Sequence, residues 1–243
     1  MKGAIFDLDG VLVDSEPYWQ RGFAEVTNEY CVESGLPDPA LTAAQMARFQ
    51  GGRVNDTLAS ILASLGHPEL AAQESLEQLT GRVIAHVSHA FVAHPTPIES
   101  SISVARQLAD RGVPLAVASS SAQEFIDAAI KTIGLQDAVS VTQSALGLRH
   151  GKPHPEVYQL TLDQLGLEAD DVVAIEDSTT GIGSAVRAGI ATIWLLQNST
   201  ETEAEAIQRL RDTLGSDADA GARVRRITRD LTMADIDAVT ATQ

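Results

Sequence analysis

Two carboxylates lie two residues apart near the start of the chain, directly after a short apolar run. Asp7 and Asp9 follow Ala4 to Phe6, a run that predicts a buried strand. Residues two apart on an extended chain point to the same side, so both carboxylates can face one small volume where the strand ends. Such a pair is unfavourable unless a hard cation with a preference for oxygen ligands, such as Mg²⁺, neutralises it. The spacing therefore indicates a metal-assisted catalytic site.

Two other structures contain the sequence Asp-x-Asp-Gly. One is an ordinary turn that ends a strand, and the motif alone leaves this alternative open. The other is an EF-hand calcium loop, which needs a bidentate Glu at the twelfth position counted from Asp7. Tyr18 occupies that position, and the apolar Leu12 and Val13 lie between. The calcium loop is therefore excluded.

Three later segments bring further polar groups to predicted strand ends or helix starts. They are Ser119, Ser120 and Ser121 after a second apolar run, Lys152 within Gly-Lys-Pro-His-Pro, and Glu176 and Asp177 after the run Val172 to Ile175. Each has an ordinary alternative as a helix cap, a solvated lysine or a partner of the helix dipole. Ligands of doubly wound sheets bind beyond the carboxyl ends of the strands. The four segments together supply a nucleophile, a proton donor, oxygen ligands and a cation, which is what phosphoryl transfer requires.

Composition limits the classes of partner. The 243 residues carry a net charge of −16 with 17 Lys and Arg, which argues against binding nucleic acid. No apolar run approaches the length of a membrane span, so we expect no membrane partner. The N-terminus enters the first strand without a signal segment, and the one cysteine, Cys31, permits no internal disulfide. We expect a cytoplasmic protein, either a monomer or a weak homodimer.

The order of apolar patterns predicts an α/β fold with an insertion. Residues 16–95 show only helical spacing, whereas strand and helix alternate from residue 98 onward. We predict a doubly wound, Rossmann-like parallel sheet formed by residues 1–15 and 96–243, with an all-helical cap domain formed by 16–95. The first predicted helix begins near Pro17 and carries Trp19, Phe23, Val26 and Tyr30 at helical spacing. The other predicted helices are 42–49, 55–65, 73–92, 98–111, 122–133, 155–165 and 181–188, with a solvated helix at 200–211 and another after 231. The predicted strands are 2–6, 114–118, 139–142, 172–175, 191–196 and 223–227.

Four ordered segments resemble the motifs of the haloacid dehalogenase superfamily. They are Asp-Leu-Asp-Gly-Val-Leu-Val-Asp-Ser-Glu, Ala-Ser-Ser-Ser, Gly-Lys-Pro-His-Pro and Glu-Asp-Ser-Thr-Thr-Gly. The resemblance covers residues 1 to about 198. The helical insertion resembles the cap of the β-phosphoglucomutase-like phosphatases, including the 2-deoxyglucose-6-phosphatase type.

The resemblance implies roles for individual residues. Asp7 would attack phosphorus and form an aspartyl-phosphate, and Asp9 would protonate the leaving alcohol and then activate water. Ser119 would hold a phosphoryl oxygen, and Lys152 would neutralise charge on the phosphorylated aspartate. The Mg²⁺ ligands implied by the resemblance are Asp7, the carbonyl of Asp9 and Asp177, with Glu176 as a further ligand or a neighbour of the ligands.

Substrate contacts are expected from the cap and from the serine segment. Gly51, Gly52 and Arg53 lie in a stretch that resembles the specificity loop of such phosphatases, and we expect Ser120 and Ser121 to contribute as well. Arg53 has the alternative of a surface arginine that caps a turn.

The sequence thus predicts a Mg²⁺-dependent phosphatase of a small phosphorylated metabolite, a sugar or polyol monophosphate. The alternatives are a β-phosphoglucomutase-like sugar phosphomutase and a non-catalytic protein that binds a phosphorylated ligand. β-Phosphoglucomutase has a cap histidine that aligns with Trp19 and a cap-loop arginine that aligns with Val54. Both departures favour hydrolysis over the mutase reaction.

Overall fold

The computed structural model describes residues 1–46, 49, 52–196, 202–215 and 223–241. The strands in these ranges are β1 Gly3–Phe6, β2 Leu115–Ser119, β3 Val139–Ser144, β4 Val172–Glu176, β5 Ala191–Leu195 and β6 Val224–Thr228. The α-helices are α1 Glu16–Glu33, α2 Ala43–Met46, α3 Val54–Ser64, α4 Gln73–Ala93, α5 Glu99–Asp110, α6 Gln123–Thr132, α7 Glu156–Leu165, α8 Thr179–Arg187, α9 Glu203–Leu214 and α10 Met233–Thr240. Among these helices, none combines the length and the apolar character needed to cross a bilayer.

The described strands form one parallel sheet in the order β3-β2-β1-β4-β5-β6. The chain moves outward from β1 in one direction and then returns to β4 on its other side, so the strand order reverses between β1 and β4. In doubly wound folds this reversal opens a crevice at the carboxyl ends of the two strands. Phe6, the last residue of β1, pairs with Val117 of β2 and Ile175 of β4. This register places the carboxyl ends of the three strands side by side at one edge of the sheet.

Both faces of the sheet are buried, as expected for a parallel sheet covered by crossover helices. Along β1, Ala4 and Phe6 belong to one hydrophobic cluster, whereas Ile5 belongs to a second cluster on the opposite face. This alternation follows from the two-residue period of side chains on a strand. The uninterrupted apolar run of β1 therefore contributes side chains to the hydrophobic clusters on both faces of the sheet.

Helices α1 to α4 lie between β1 and α5 in the chain and form the helical cap. The two connections to the cap run side by side: the Asp14 N–H donates to the Thr96 carbonyl at 2.9 Å, and Val13 forms an antiparallel bridge with Pro97. The Ile98 N–H donates to the Leu12 carbonyl at 2.9 Å. The chain therefore leaves the sheet layer for the cap and returns from it at one place. The domain boundary near residues 15 and 95 stays a prediction.

Aromatic rings join the cap to the sheet layer. Phe125 of α6 contacts Trp19 of α1 with ring centroids 5.2 Å apart, and it contacts Phe91 of α4 at 5.6 Å. Both contacts have the edge-to-face geometry that aromatic pairs favour. Cap and sheet residues belong to one continuous hydrophobic cluster. The cap is therefore packed against the sheet layer at this point.

The predicted elements agree with the structure to within a few residues, with two differences. The helix expected over 42–49 is observed only over Ala43–Met46, and residues 47, 48 and 50 lie outside the described residues. The helix expected at 200–211 as a solvated element is α9, and its Ala206, Leu210 and Leu214 are buried in a cluster with Trp194. The predicted helix is present and its outer face is exposed, but the sequence analysis missed the buried apolar stripe on its inner face.

We predict that Phe91→Ala destabilises the protein by about 3 to 5 kcal/mol, since Phe91 is fully buried and its removal leaves a cavity between cap and sheet. Val92→Ala is the matched control, because the adjacent Val92 lies on the same helix and is 52% exposed. The control should change the free energy of unfolding by about 0.5 kcal/mol or less. Chemical denaturation measures both variants, and equal effects would contradict the packing described here.

Candidate active site

Asp7 is placed at the reversal point of the sheet by backbone pairing. It follows β1 directly, and its N–H donates to the Ile175 carbonyl of β4 at 2.9 Å. Asp9 lies in the turn that comes next, where Gly10 adopts a positive φ of 77°. A Cβ at Gly10 would also lie 1.9 Å from the Asp177 carboxylate. Both the turn and the close approach of Asp177 therefore require glycine at this position.

Lys152 is the centre of the buried charges. Its Nζ donates to Asp7 Oδ1 at 3.0 Å, to Glu176 Oε1 at 2.6 Å and to the Ala118 carbonyl at 3.0 Å. The Lys152 side chain is 3% exposed and the Glu176 side chain is fully buried. One ammonium group thus joins the ends of β1, β2 and β4, as the sequence analysis expected for a cation at these strand ends.

The pKa values of the charged groups reflect burial first and the neighbouring charges second. Burial raises the pKa of Asp7 to about 8, with Glu176 adding to the effect and Lys152 opposing it. Burial, Asp7 and Glu176 likewise raise the pKa of Asp177 well above its usual value. Burial lowers the pKa of Lys152, but Asp7 and Glu176 oppose this and leave it raised overall. Lys152 therefore stays charged, and one lysine faces three carboxylates.

The carboxylates of Asp7, Glu176 and Asp177 suit a divalent cation. One carboxylate oxygen from each residue lies within 4.8 Å of the other two. The donor set is all oxygen, which Mg²⁺ prefers, and a bound dication would offset the charge that Lys152 leaves uncompensated. The residues present therefore fit the predicted Mg²⁺. The carbonyl of Asp9 stays a prediction as a ligand.

Helix α8 positions the acidic pair at the end of β4. Ser178 caps the helix by accepting a hydrogen bond from the Gly181 N–H at 3.0 Å. A Cβ at Gly181 would lie 2.0 Å from the Glu176 carboxylate, so glycine lets the helix approach that side chain. The Asp177 carbonyl accepts from the Trp194 indole N–H of β5 at 2.9 Å. These contacts hold Glu176 and Asp177 in place from both sides.

Asp9 has a separate set of partners. Its Oδ2 accepts from Ser121 Oγ at 2.7 Å and from Ser119 Oγ at 3.2 Å. Its Oδ1 accepts from the Trp19 indole N–H at 3.0 Å and from the Ser15 hydroxyl. Asp7 and Asp9 thus occupy different surroundings, as a division between nucleophile and acid/base requires.

A cleft of about 770 Å³ lies between the cap and the strand ends. The predicted site residues that line it are Asp7, Asp9, Gly52, Ser120, Ser121, Lys152 and Asp177. The cap contributes Trp19, Phe23, Met46 and Phe49 to the lining. The aspartates and the lysine therefore face the same cavity as apolar cap residues.

The remaining predicted substrate contacts lie elsewhere. Arg53 does not belong to the described lining of this cleft. Its Nε donates to Asp56 at 2.6 Å, and its Nη1 donates to the Leu148 carbonyl at 2.8 Å, which links the cap to the segment before Lys152. Gly51 lies outside the described residues. Their substrate roles stay predictions.

Sequence reasoning missed two partners of the charged groups. Tyr158 of α7 is fully buried, and its hydroxyl donates to Glu176 Oε1 at 2.7 Å. The buried face of α7 also carries Val157, Thr161 and Leu162, so helical periodicity marked Tyr158 as buried but did not indicate its partner. Ser15 belongs to the first motif, but the motif does not indicate that the Ser15 hydroxyl donates a hydrogen bond to Asp9.

Comparison with known proteins identifies relatives of similar length. A sequence relative from Streptomyces hygroscopicus subsp. limoneus, a validoxylamine A 7'-phosphate phosphatase, is 28% identical over 87% of this chain and 93% of its own length. Hexitol phosphatase B of Escherichia coli strain K12 is 27% identical over 78% of this chain and 81% of its own. Both relatives are phosphatases, which supports the predicted enzyme class of phosphoric monoester hydrolase.

Comparison with solved structures confirms the predicted fold class. The crystal structure of β-phosphoglucomutase from Clostridium difficile has a TM-score of 0.76 to this chain, at 14% identity, covering 100% of this chain and 98% of that one. The family model described as haloacid dehalogenase-like hydrolase matches residues 4–195, which include Asp7, Lys152 and Asp177. This chain belongs to the haloacid dehalogenase-like hydrolase family.

Proposed function

We propose that this chain is a Mg²⁺-dependent phosphatase that hydrolyses a small phosphorylated metabolite, a sugar or polyol monophosphate, through an aspartyl-phosphate on Asp7. One observation carries the proposal: Asp7 contacts Lys152 at 3.0 Å at the floor of the cleft, and Asp9 faces the same cleft in different surroundings. The named activities of the two phosphatase relatives support the substrate class.

The first half of the reaction uses both aspartates. A carboxylate oxygen of Asp7 attacks phosphorus, and the bond from phosphorus to the ester oxygen breaks. Asp9 in its protonated form gives a proton to the departing alkoxide, so that the alcohol leaves as a neutral molecule. Lys152 lies against Asp7 and offsets the negative charge that the transferred phosphoryl group brings.

The second half releases inorganic phosphate. Asp9, now a carboxylate, takes a proton from water while the water oxygen attacks phosphorus. The bond from phosphorus to Asp7 breaks, and the free Asp7 carboxylate returns to its contact with Lys152. The hydroxyl groups of Ser119 and Ser121 hold Asp9 on the side of β2 throughout.

Asp7, Glu176 and Asp177 would hold Mg²⁺ when it is bound. The metal supplies positive charge that draws electron density from the phosphoryl group and offsets repulsion between its oxygens and the carboxylates. The apolar cap residues around the cleft exclude bulk water, which strengthens these electrostatic interactions.

Phosphorus NMR tests the reaction directly. With Mg²⁺ and pooled hexose, pentose and glycerol phosphates, we expect inorganic phosphate to grow at the expense of one component. Asp7→Asn should lower turnover by about 10⁴-fold or more, since the nucleophile is lost. Asp110→Asn, the same substitution on the exposed end of α5, should leave turnover unchanged. A new phosphomonoester signal without free phosphate would identify the mutase, and an unchanged spectrum would favour a binding role.

Mg²⁺ should stabilise the folded protein, because it relieves the repulsion among the carboxylates of Asp7, Glu176 and Asp177, of which the first two are buried. At about 100 times its dissociation constant, the ion should add about 2.7 kcal/mol to the free energy of unfolding. Asp177→Asn should lose most of this gain, whereas Asp110→Asn should keep it. Thermal unfolding with and without Mg²⁺ measures the difference, and equal gains in the two variants would contradict the proposed ligand set.

Trp19 is a positioning residue for Asp9 through its indole N–H. Trp19→Phe keeps an aromatic ring and removes this donor, so we expect kcat to fall about 10-fold with little change in KM. Phe23→Leu changes an apolar side chain of the same helix and cleft, and it should leave kcat close to the native value. An unchanged kcat in the folded Trp19→Phe variant would refute the role.

A further inference from the structure

Two histidines and a glutamate meet on the surface of the segment that carries Lys152. His150 and His154 are exposed and Glu156, the first residue of α7, is half-buried. One ligand atom from each residue lies within 4.8 Å of the other two. The cluster is separate from the carboxylates around Asp7, and the described lining of the main cleft contains none of its members.

The distances in the cluster resemble those between ligands of a small metal ion. Glu156 Oε2 lies 3.1 Å from His150 Nδ1 and 3.9 Å from His154 Nδ1. Two ligands at a typical zinc bond length and tetrahedral angle lie about 3.4 Å apart, between these two values. Only small side-chain rotations would be needed to bring the three atoms onto one ion.

The local structure holds the three side chains in this arrangement. The His150 N–H donates to Glu156 Oε2 at 2.9 Å, and the two imidazole rings stack with centroids 4.2 Å apart. The Glu156 N–H donates to His154 Nδ1 at 3.3 Å, so this nitrogen is unprotonated, and a metal ion bound there would replace this long hydrogen bond. Pro153 and Pro155 restrict the backbone on both sides of His154. Little conformational entropy remains to be lost on binding an ion.

Nearby arginines do not prevent cation binding. Arg53, Arg149 and Arg187 line the same shallow depression. Arg53 is paired with Asp56 at 2.6 Å, and Arg187 donates to the Pro153 carbonyl at 3.1 Å. The depression is open to solvent, where screening weakens repulsion, and the Glu156 carboxylate, 3.1 Å from His150 Nδ1, adds a negative charge beside the two imidazoles. Two imidazoles and a carboxylate are ligands of transition metals rather than of phosphate.

We propose that His150, His154 and Glu156 form a binding site for a transition-metal dication of the Zn²⁺ type, distinct from the Mg²⁺ site, with water completing the coordination. His150 Nδ1 releases any proton it shares with Glu156 to solvent, because a metal-bound nitrogen needs its lone pair. The ligands lie two residues before, two after and four after Lys152. A bound ion would therefore clamp the backbone on both sides of that lysine.

Titration with Zn²⁺ tests the site. The titration uses Asp177→Asn protein, because the loss of one carboxylate weakens the competing cation site around Asp7. Calorimetry should show one zinc per chain, and heteronuclear NMR should show shifts of the imidazole nitrogens of His150 and His154. His154→Ala and Glu156→Gln should each weaken binding by about 10-fold or more, since each removes a ligand.

His86→Ala/His89→Ala is the matched control, because it removes two histidines from the cap helix α4 and should leave zinc affinity unchanged. Thermal unfolding in the absence of zinc verifies that each variant folds. Failure of the native site to bind zinc would overturn the proposal, as would unchanged affinity in the folded His154→Ala and Glu156→Gln variants. Shifts of the same imidazole signals with inorganic phosphate but not with Zn²⁺ would show an anion site and overturn it too. None of these measurements depends on phosphatase activity.

Discussion

The contact of one lysine with two buried carboxylates is the constraint on which the active site depends. Lys152 joins Asp7 and Glu176 at the point where the strand order reverses, and Asp177 adds a third carboxylate nearby. Burying such charges is costly unless they are paired, so the surrounding sheet must hold them in position. The remaining negative charge is what makes a divalent cation a fitting partner. The same charged groups therefore both lower the stability of the fold and supply the chemistry of the proposed reaction.

Small residues allow this charge density by removing side chains where others must approach. Gly10 leaves room for the Asp177 carboxylate, and Gly181 leaves room for that of Glu176. Gly10 lies beside an acid from a distant part of the chain and Gly181 beside one from the same motif, and in both cases a Cβ would push apart the groups of the candidate metal site. The glycines of the two acidic motifs are thus part of the site geometry, in addition to their roles in turns.

The cap affects the site through contacts as well as by covering it. Trp19 donates a hydrogen bond to Asp9 while its ring packs against Phe125, which also contacts Phe91 of the last cap helix. A displacement of the cap would therefore alter a hydrogen-bond partner of Asp9. Arg53 provides a second link, from the cap to the Leu148 carbonyl ahead of Lys152. Cap position and active-site geometry are coupled through these two side chains.

The sequence by itself determined the alternation of strands and helices and the four polar segments at their ends, because residue periodicity and turn chemistry act locally. It also placed Asp7, Asp9, Lys152 and Asp177 at one edge of the sheet through their order. Only the tertiary structure decided which atoms meet. Lys152 and Asp7 are 145 residues apart, and Tyr158 reaches Glu176 only because α7 packs on the face that brings them together. Strand order and helix packing depend on the whole core, so no local pattern specifies those contacts.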